Sequence, residues 1–439
     1  MTRVIVLAAG QGTRMKSKLP KVLHKVCNVP LIDRVLNSVV GIDKTPVVVL
    51  GHLKNVVEEH LTNSKYNVTI ATQSKLPGTG SGARAGFEVL GSLEKSETVL
   101  IVTGDTPLIS SETLSRLVDF HNNNSDDVTI LSTNLYNPFG YGRIIRKNDK
   151  VTAIREQKDA TEDEKKITEI NSGIYAFKFD VLKKYLPQLN LNNAQRELYL
   201  TDIVEMSVKD GLNINAIATE DSLEVEGVND HLQQMNLSKI QNLRVLEKHM
   251  KNGVTIIDPN NTWIDEDVII EPDVIIEPGC YLTDGAVIHS GANIMLGSRI
   301  IGSEVGEKAN IGPYAYLRPN NQLGVGSKVG AFVEAKNAKV GNGSKVPHLT
   351  YIGDAEVGEN SNIGAGSIFA NYDGVNKHHT KVGSNVKIGS KTVLVAPVEV
   401  GDNVYTGATT LVRHDIPSGS LAYSENHMNI VDNWVEENR

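Results

Sequence analysis

Cysteine is nearly absent: the 439-residue chain holds only Cys27 and Cys280, far apart. That excludes a disulfide scaffold and a zinc knuckle. No run of about 18 apolar residues occurs, so no membrane span is expected. Residues 4–7 form an apolar stretch too short for the core of a secretion signal. Excess positive charge is lacking too, and the formal net charge of −8 argues against a nucleic-acid binder. The expectation is a soluble, cytoplasmic protein. Its length allows two or three domains, and 40% hydrophobic residues supply substantial cores.

The first motif is also marked by what it lacks. Residues 4–7 run into Gly10-Gln11-Gly12-Thr13-Arg14-Met15, and Lys21 follows a proline. A dinucleotide fingerprint needs a third glycine where Met15 stands, and a P-loop needs Gly-Lys-Ser/Thr. Neither pattern is met.

Residues 1–228 alternate short apolar runs with helix-like segments. Strands are expected at 4–7, 47–50, 68–71, 99–102, 128–132 and 174–179, and helices at 31–40, 56–61, 80–90 and 114–121. This is an α/β pattern with a mostly parallel sheet, whose ligands bind beyond the carboxyl ends of the strands. Residues 229–250 contain no proline or glycine. Leu232, Met235, Leu243 and Leu246 recur there at helical spacings, which predicts a linker helix.

Beyond Gly253 the period becomes six. Ile264, Ile270, Ile276, Leu282, Ile288, Ile294 and Ile300 are followed, after a one-residue slip, by Val305, Ile311, Leu317, Leu323 and Val329. Val340, Val346, Ile352, Val357, Ile363 and Phe369 come next, then Val382, Ile388, Leu394 and Val400. Period six fits neither a helix nor a long strand. It fits a parallel β-helix in which three hexads close a triangular coil and each aliphatic points inward. A following glycine or small residue is expected to let the chain bend. At ~4.8 Å per coil, about eight coils make a prism on the order of 40 Å long.

The opening stretch LAAGQGTRM with Pro20-Lys21 resembles the signature of sugar-nucleotide pyrophosphorylases. With the hexads, the chain resembles the bifunctional N-acetylglucosamine-1-phosphate uridylyltransferase/glucosamine-1-phosphate N-acetyltransferase family over nearly its whole length. The other stretches that carry the resemblance are LPKVLH, PGTGSGA, GDTPLI, NPFGYGRI, EQKDAT, EINSGIYAF, EVEGVND, RPN, FVEAK, HLTYIGDAEVG, NIGAGSI and NYDGVNKHHT. The resemblance implies a Rossmann-like nucleotidyltransferase domain over 1–228 and a linker helix over 229–250. Over 251–439 it implies a left-handed β-helix acetyltransferase domain with a C-terminal tail.

It also implies roles. Backbone N–H groups of 7–13, including Leu7, Ala8, Ala9 and Gly10, would line the UTP phosphates, with Arg14 and Lys21 as cations. Gln73, Gly78 and Thr79 would hold the uracil end, and Gly142, Glu156 and Asn171 the sugar. Asp105 and Asn229 would bind Mg2+, a hard cation suited to a few protein oxygens plus phosphate oxygens; Asn229 also counts among the nucleotide-sugar contacts. In the second half His348 would be the general base for acetyl transfer from acetyl-CoA, oriented by Glu334. Arg318, Lys336, Tyr351 and Asn362 would bind glucosamine 1-phosphate, and Ala365, Asn371, Tyr372, Ser390 and Ala408 acetyl-CoA. A homotrimer is expected, because three flat prism faces suit a three-fold axis. Taken alone, Asp105 before Thr106-Pro107 reads as a turn residue and Lys21 as a surface charge; the order of motifs reverses both readings.

Several positions depart from the family pattern. Thr103 stands where some relatives carry an aromatic residue, Ser81 where histidine is usual, and Arg196 where glycine is usual. Val346-Pro347 replaces Ala-Gly before His348, which implies a stiffer turn. Glu425 stands where many relatives carry an arginine toward the CoA phosphates, and the sequence stops at Arg439; both imply weaker acetyl-CoA binding. His378-His379 invites a zinc reading, but adjacent histidines point apart and no third ligand is evident. Two other readings stay open: a pyrophosphorylase whose β-helix only oligomerises, and a non-enzymatic scaffold.

Overall fold

The structure, a computed structural model, describes residues 2–73, 77–91, 97–425 and 428–438. It divides into two compact units, Met1–Gln241 and Asn242–Arg439.

In the first unit, β1 (Thr2–Leu7), β2 (Val47–Leu50), β3 (Thr69–Thr72) and β4 (Thr98–Thr103) are parallel, in the spatial order β4-β1-β2-β3. Val4 and Val6 pack into one apolar layer with α1 (Leu31–Val39), α2 (Lys54–Thr62) and α4 (Ser111–Asn123). Ile5 packs into the opposite layer with α3 (Thr79–Val89), α5 (Phe179–Tyr185) and α6 (Asp202–Lys209). Burial on both faces is why the strands read as unbroken apolar runs.

The rest of the sheet departs from the expected parallel pattern. β5 (Val128–Asn134) pairs in parallel with β9 (Ile214–Ala218), but β8 (Glu169–Lys178) lies between β4 and β5, antiparallel to both. β6 (Gly142–Lys147) and β7 (Lys150–Arg155) form a hairpin attached to β8. The sequence reading lacks β6, β7 and β9. The hairpin had a usable signal: Asn148 and Asp149 both have positive φ, the geometry of a two-residue I′ turn. Phe179, read as the end of a strand, instead begins α5.

A buried polar network links α4 to β5. Thr129 Oγ1 donates to Asp126 Oδ2 at 2.9 Å and therefore accepts from His121 Nδ1, also at 2.9 Å. His121 Nε2 is then an unprotonated, buried atom with no partner. Burial, and next the Lys178 ammonium, push this imidazole down to about 4. The unfolded chain binds the proton first, so stability falls as pH drops from about 6.5 toward 4. That span corresponds to about 3 kcal/mol when fully expressed. In urea unfolding, the first unit is expected to lose stability across this window in wild type and markedly less in His121→Gln; equal slopes would refute the assignment.

Helix α7 (His231–Lys251) covers the expected linker. Of the four residues that set its period only Leu246 is buried; Leu232, Met235 and Leu243 are exposed. Leu237 packs with Met15, Val26, Leu31 and Val228 in the first unit, while Val245 and Leu246 join the core of the second.

The second unit is a parallel β-helix, and every hexad aliphatic named above is buried. Register advances by 18 residues (Ile264↔Leu282) and, across the slip, by 17 (Ile288↔Val305). One face is a 10-stranded sheet. The other two merge into a 15-stranded sheet because Glu334–Val340 and Tyr351–Val357 run through the corner between them. The glycines after the aliphatics have a different role from the one expected. Gly306, Gly324 and Gly341 lack positive φ, and a Cβ on any of them would lie within 3 Å of the next coil's backbone. They permit coil contact. The bends are made by left-handed residues such as Asn337, Leu349 and Asp354.

Candidate active sites

The carboxyl ends of β1 to β4 open into a cleft of about 740 Å³. Leu7, Ala8, Ala9 and Gly10 line it with Lys21, Gln73, Gly78, Thr79 and Asp105. The loop after β1 is fixed between its neighbours: Ala8 N donates to Val49 O, and Gly104 N donates to Leu7 O. Gly12 has φ +63°, and a Cβ there would lie 2.7 Å from Lys21 Cβ, so glycine admits the lysine stem. The Lys21 ammonium contacts Asp105 Oδ2 and reaches Asn229 Oδ1 at 3.3 Å. The two expected metal ligands, far apart in sequence, thus converge on one cationic centre. Two hard oxygens converging on one point are the donors Mg2+ takes, so these residues fit it.

Arg14 stands apart. It lies on the short turn Thr13–Met15, anchored by buried Met15, but it is exposed and outside the cleft lining. The sequence reading missed Gly51, His52 and Glu197, which do line the cleft. Gly51-His52 follow β2 as Gly10 follows β1, and that parallel could have found them.

Gly142, Glu156 and Asn171 form a second group. A Cβ on Gly142 would lie 3.5 Å from Asn171 Cβ and 3.6 Å from Glu156 Cδ. Burial pushes the Glu156 carboxyl up, against the pull of a hydrogen bond from Thr201. Asn171 Nδ2 donates to the Tyr175 hydroxyl at 2.7 Å. The strap that carries Thr201 also meets the start of α3, since Gly80 N donates to Leu198 O and Leu200 N to Thr79 Oγ1. Arg196 on this strap has φ +55°, the conformation glycine adopts freely. Arginine there costs about 1 kcal/mol.

In the β-helix the expected residues fall into two groups. At one corner, Gly366 N donates to His348 O, Lys391 N to Ala365 O and Thr409 N to Ser390 O. His348, Ala365, Ser390 and Ala408 therefore occupy one column, one per coil. Asn362 lies on the adjoining 10-stranded face between Lys345 and Lys387. Pro347 has no N–H for the next coil, and the ladder there keeps one register pair, Lys345↔Asn362.

Around the next corner lie Arg318, Glu334, Lys336, Tyr351 and Asn371. The Lys377 ammonium, followed by the Arg318 guanidinium, holds Lys336 below its ordinary value. Three crowded cations suit a dianion. Lys377 was missed in the sequence, although it lies in the 371–380 excursion from period six. Glu334 pairs with a cation. Its Oε1 accepts from Arg318 at 3.0 Å, and His348 makes no side-chain hydrogen bond to a described residue. The two stand on strands of different sheets, with Glu334 in register with Tyr351, three residues past His348. Tyr372 is exposed, with its hydroxyl on Gly374 O, and His378 Nε2 pairs with Asp373 at 2.7 Å.

A strand-end anion cleft on an α/β sheet, joined in one chain to a β-helix with a cation cluster, defines a two-site transferase. Residues 4–167 match the family model of the MobA-like NTP transferase domain, and 379–414 match that of the bacterial transferase hexapeptide (six repeats). The chain is 45% identical to "Bifunctional protein GlmU" of Bifidobacterium animalis subsp. lactis, over 99% of this chain and 98% of that protein. It is 45% identical to the protein of that name from Corynebacterium diphtheriae, over 99% and 94% of the two chains. Identity to the Mycobacterium tuberculosis protein is 43%, over 100% and 93%. The chain belongs to the bifunctional GlmU family. Among the described residues, no helix is long and apolar enough to cross a membrane.

Proposed function

We infer that the chain makes UDP-N-acetylglucosamine in two steps, one in each unit. In the second unit, the amine of glucosamine 1-phosphate attacks the thioester carbonyl of acetyl-CoA. His348 takes a proton from the nitrogen, the C–S bond breaks, and CoA leaves as the thiol. In the first unit, a phosphate oxygen of N-acetylglucosamine 1-phosphate attacks the α-phosphorus of UTP, and the bond to the β-phosphate breaks to release pyrophosphate.

The observation that carries this reading is the meeting of Lys21, Asp105 and Asn229 at the mouth of the cleft. Asp105 and Asn229 would hold Mg2+, which supplies charge neutralisation at the phosphates. Lys21 then turns to the phosphates, the backbone of 7–10 cradles them, and Gln73 with Gly78 and Thr79 takes the base. Gly142, Glu156 and Asn171 hold the sugar. In the β-helix, Arg318, Lys336 and Lys377 bind the sugar phosphate. The column from Ala408 through Ser390 and Ala365 to His348 spans three coil steps, about 14 Å. That suits an extended acyl-carrier arm ending at the base.

His348 and the cation cluster sit at different corners of one prism, which supports a homotrimer whose chains complete each other's acetyl-transfer sites. UTP and acetyl-CoA are cytoplasmic cosubstrates, which supports a cytoplasmic location.

Two assays test the function: UTP with N-acetylglucosamine 1-phosphate, read as pyrophosphate, and acetyl-CoA with glucosamine 1-phosphate, read as free thiol. Both are expected to be positive, at a light-scattering mass three times that of one chain. Pyrophosphate without thiol would leave a pyrophosphorylase with a structural β-helix. A monomeric mass with intact acetyl transfer would refute the trimer.

A further inference from the structure

One corner of the β-helix carries a polar residue in each of four successive coils: Asn320, Asn337, Asp354 and Asn371. The first three have φ of 69°, 49° and 48°, a region that short polar side chains tolerate by bonding locally. Asp354 is the one acid in this amide column, and both of its oxygens are engaged. Oδ1 accepts from Asn337 Nδ2 at 2.7 Å, and Oδ2 accepts from Asn371 Nδ2 at 2.6 Å. A carboxylate cannot donate, so this contact dictates which way the Asn371 amide faces: nitrogen toward Asp354, oxygen away from it. Asn371 is only 6% exposed, and the next residue begins the exposed 371–380 loop that carries Tyr372 and Lys377.

Burial acts to raise the Asp354 carboxyl. The hydrogen bonds from Asn337 and Asn371, with Lys377 and Lys336 nearby, outweigh it and hold the group below its ordinary value. Asp354 is therefore ionised, and acceptor-only, throughout the neutral range. The amide oxygen it leaves free on Asn371 is an acceptor for an amine N–H beside the phosphate-binding cations.

We propose that Asp354 is a positioning residue for acetyl transfer: it locks the Asn371 amide with its oxygen presented to the substrate amine. This rests on the reading of the β-helix as the acetyl-transfer unit. Asp354 itself touches neither substrate.

The test uses the full-length protein and both reactions. Asp354→Ala frees the Asn371 amide to rotate, so kcat for acetyl transfer is expected to fall on the order of 10- to 100-fold. KM for glucosamine 1-phosphate is expected not to rise, because Arg318, Lys336 and Lys377 all remain. Asp354→Asn keeps one acceptor oxygen for Asn371, with exposed Asn337 free to flip, and is expected to recover kcat to within about threefold of wild type. A melting transition unchanged from wild type reports that the β-helix of each variant is folded, and uridylyl transfer, carried by the other unit, is expected not to change. An Asp354→Ala enzyme with wild-type kcat overturns the proposal. So does a loss in which KM rises in step and Asn gives no rescue, since that marks a merely structural role. Asn371→Ala separates the two levels of the argument. If it loses acetyl transfer while Asp354→Ala keeps it, the positioning role fails alone. If Asn371→Ala is fully active, the reading of the site itself fails.

Discussion

Asp105→Ala is expected to abolish uridylyl transfer and leave acetyl transfer at its wild-type rate. Asp105 lies two residues past the end of β4 and contacts the Lys21 ammonium, with Asn229 Oδ1 completing the cluster. Removing the carboxylate leaves one neutral oxygen for the metal and frees Lys21 from its counter-charge. Losing a metal's charge stabilisation of the transition state is worth several kcal/mol, so a fall on the order of 10³-fold or more is expected. Pyrophosphate release measures it, an unchanged melting transition shows that the first unit is folded, and thiol release from acetyl-CoA by the same sample should match wild type. Uridylyl transfer at full rate in this variant would remove Asp105 from the metal site.

His348→Ala is expected to show the converse. The imidazole is exposed, stands at the head of the Ala365–Ser390–Ala408 column and has no described side chain competing for it. Removing a general base costs about 10²- to 10⁴-fold. Thiol release should fall by that factor and pyrophosphate release should not change. His348 contributes no core packing, so the melting temperature should stay within a degree or two of wild type. Acetyl transfer at wild-type rate would mean that the base lies elsewhere, or that the stiff Val346-Pro347 turn has carried the histidine out of reach.

These two residues also mark how far sequence reasoning reaches. The β-helix was legible almost residue by residue, because a period of six leaves each inward aliphatic no other place to go. The cleft was legible in its parts, since Gly10 and Gln73 each follow a strand end and Lys21 sits in a proline-led motif. That Asp105 and Asn229 share one lysine could not be read from spacing, because sheet order rather than chain order brings them together. Glu334, whose oxygen pairs with Arg318, could not be placed from spacing. Its distance from His348 in sequence is short, but a coil turns a corner between them, and the sequence does not say which face a hexad occupies. The α7 pattern gave the helix but not its buried face. Leu232, Met235, Leu243 and Leu246 have helical spacing, but of these the helix buries only Leu246, with Leu237 and Val245 beside it. Arg196 and Pro347 run the other way: each is a local anomaly in the sequence that the backbone explains, through a left-handed φ in one case and a missing ladder donor in the other.

The claim that one chain carries two independent catalysts in series has a direct test. Asp105→Ala and His348→Ala are purified separately, then supplied with glucosamine 1-phosphate, acetyl-CoA, UTP and Mg2+, and UDP-N-acetylglucosamine is followed over time. Neither variant alone should make it. An equal mixture should, because N-acetylglucosamine 1-phosphate released by the first is consumed by the second. A mixture as inactive as its components, with each half-reaction intact in isolation, would contradict a free intermediate passing between two separate sites.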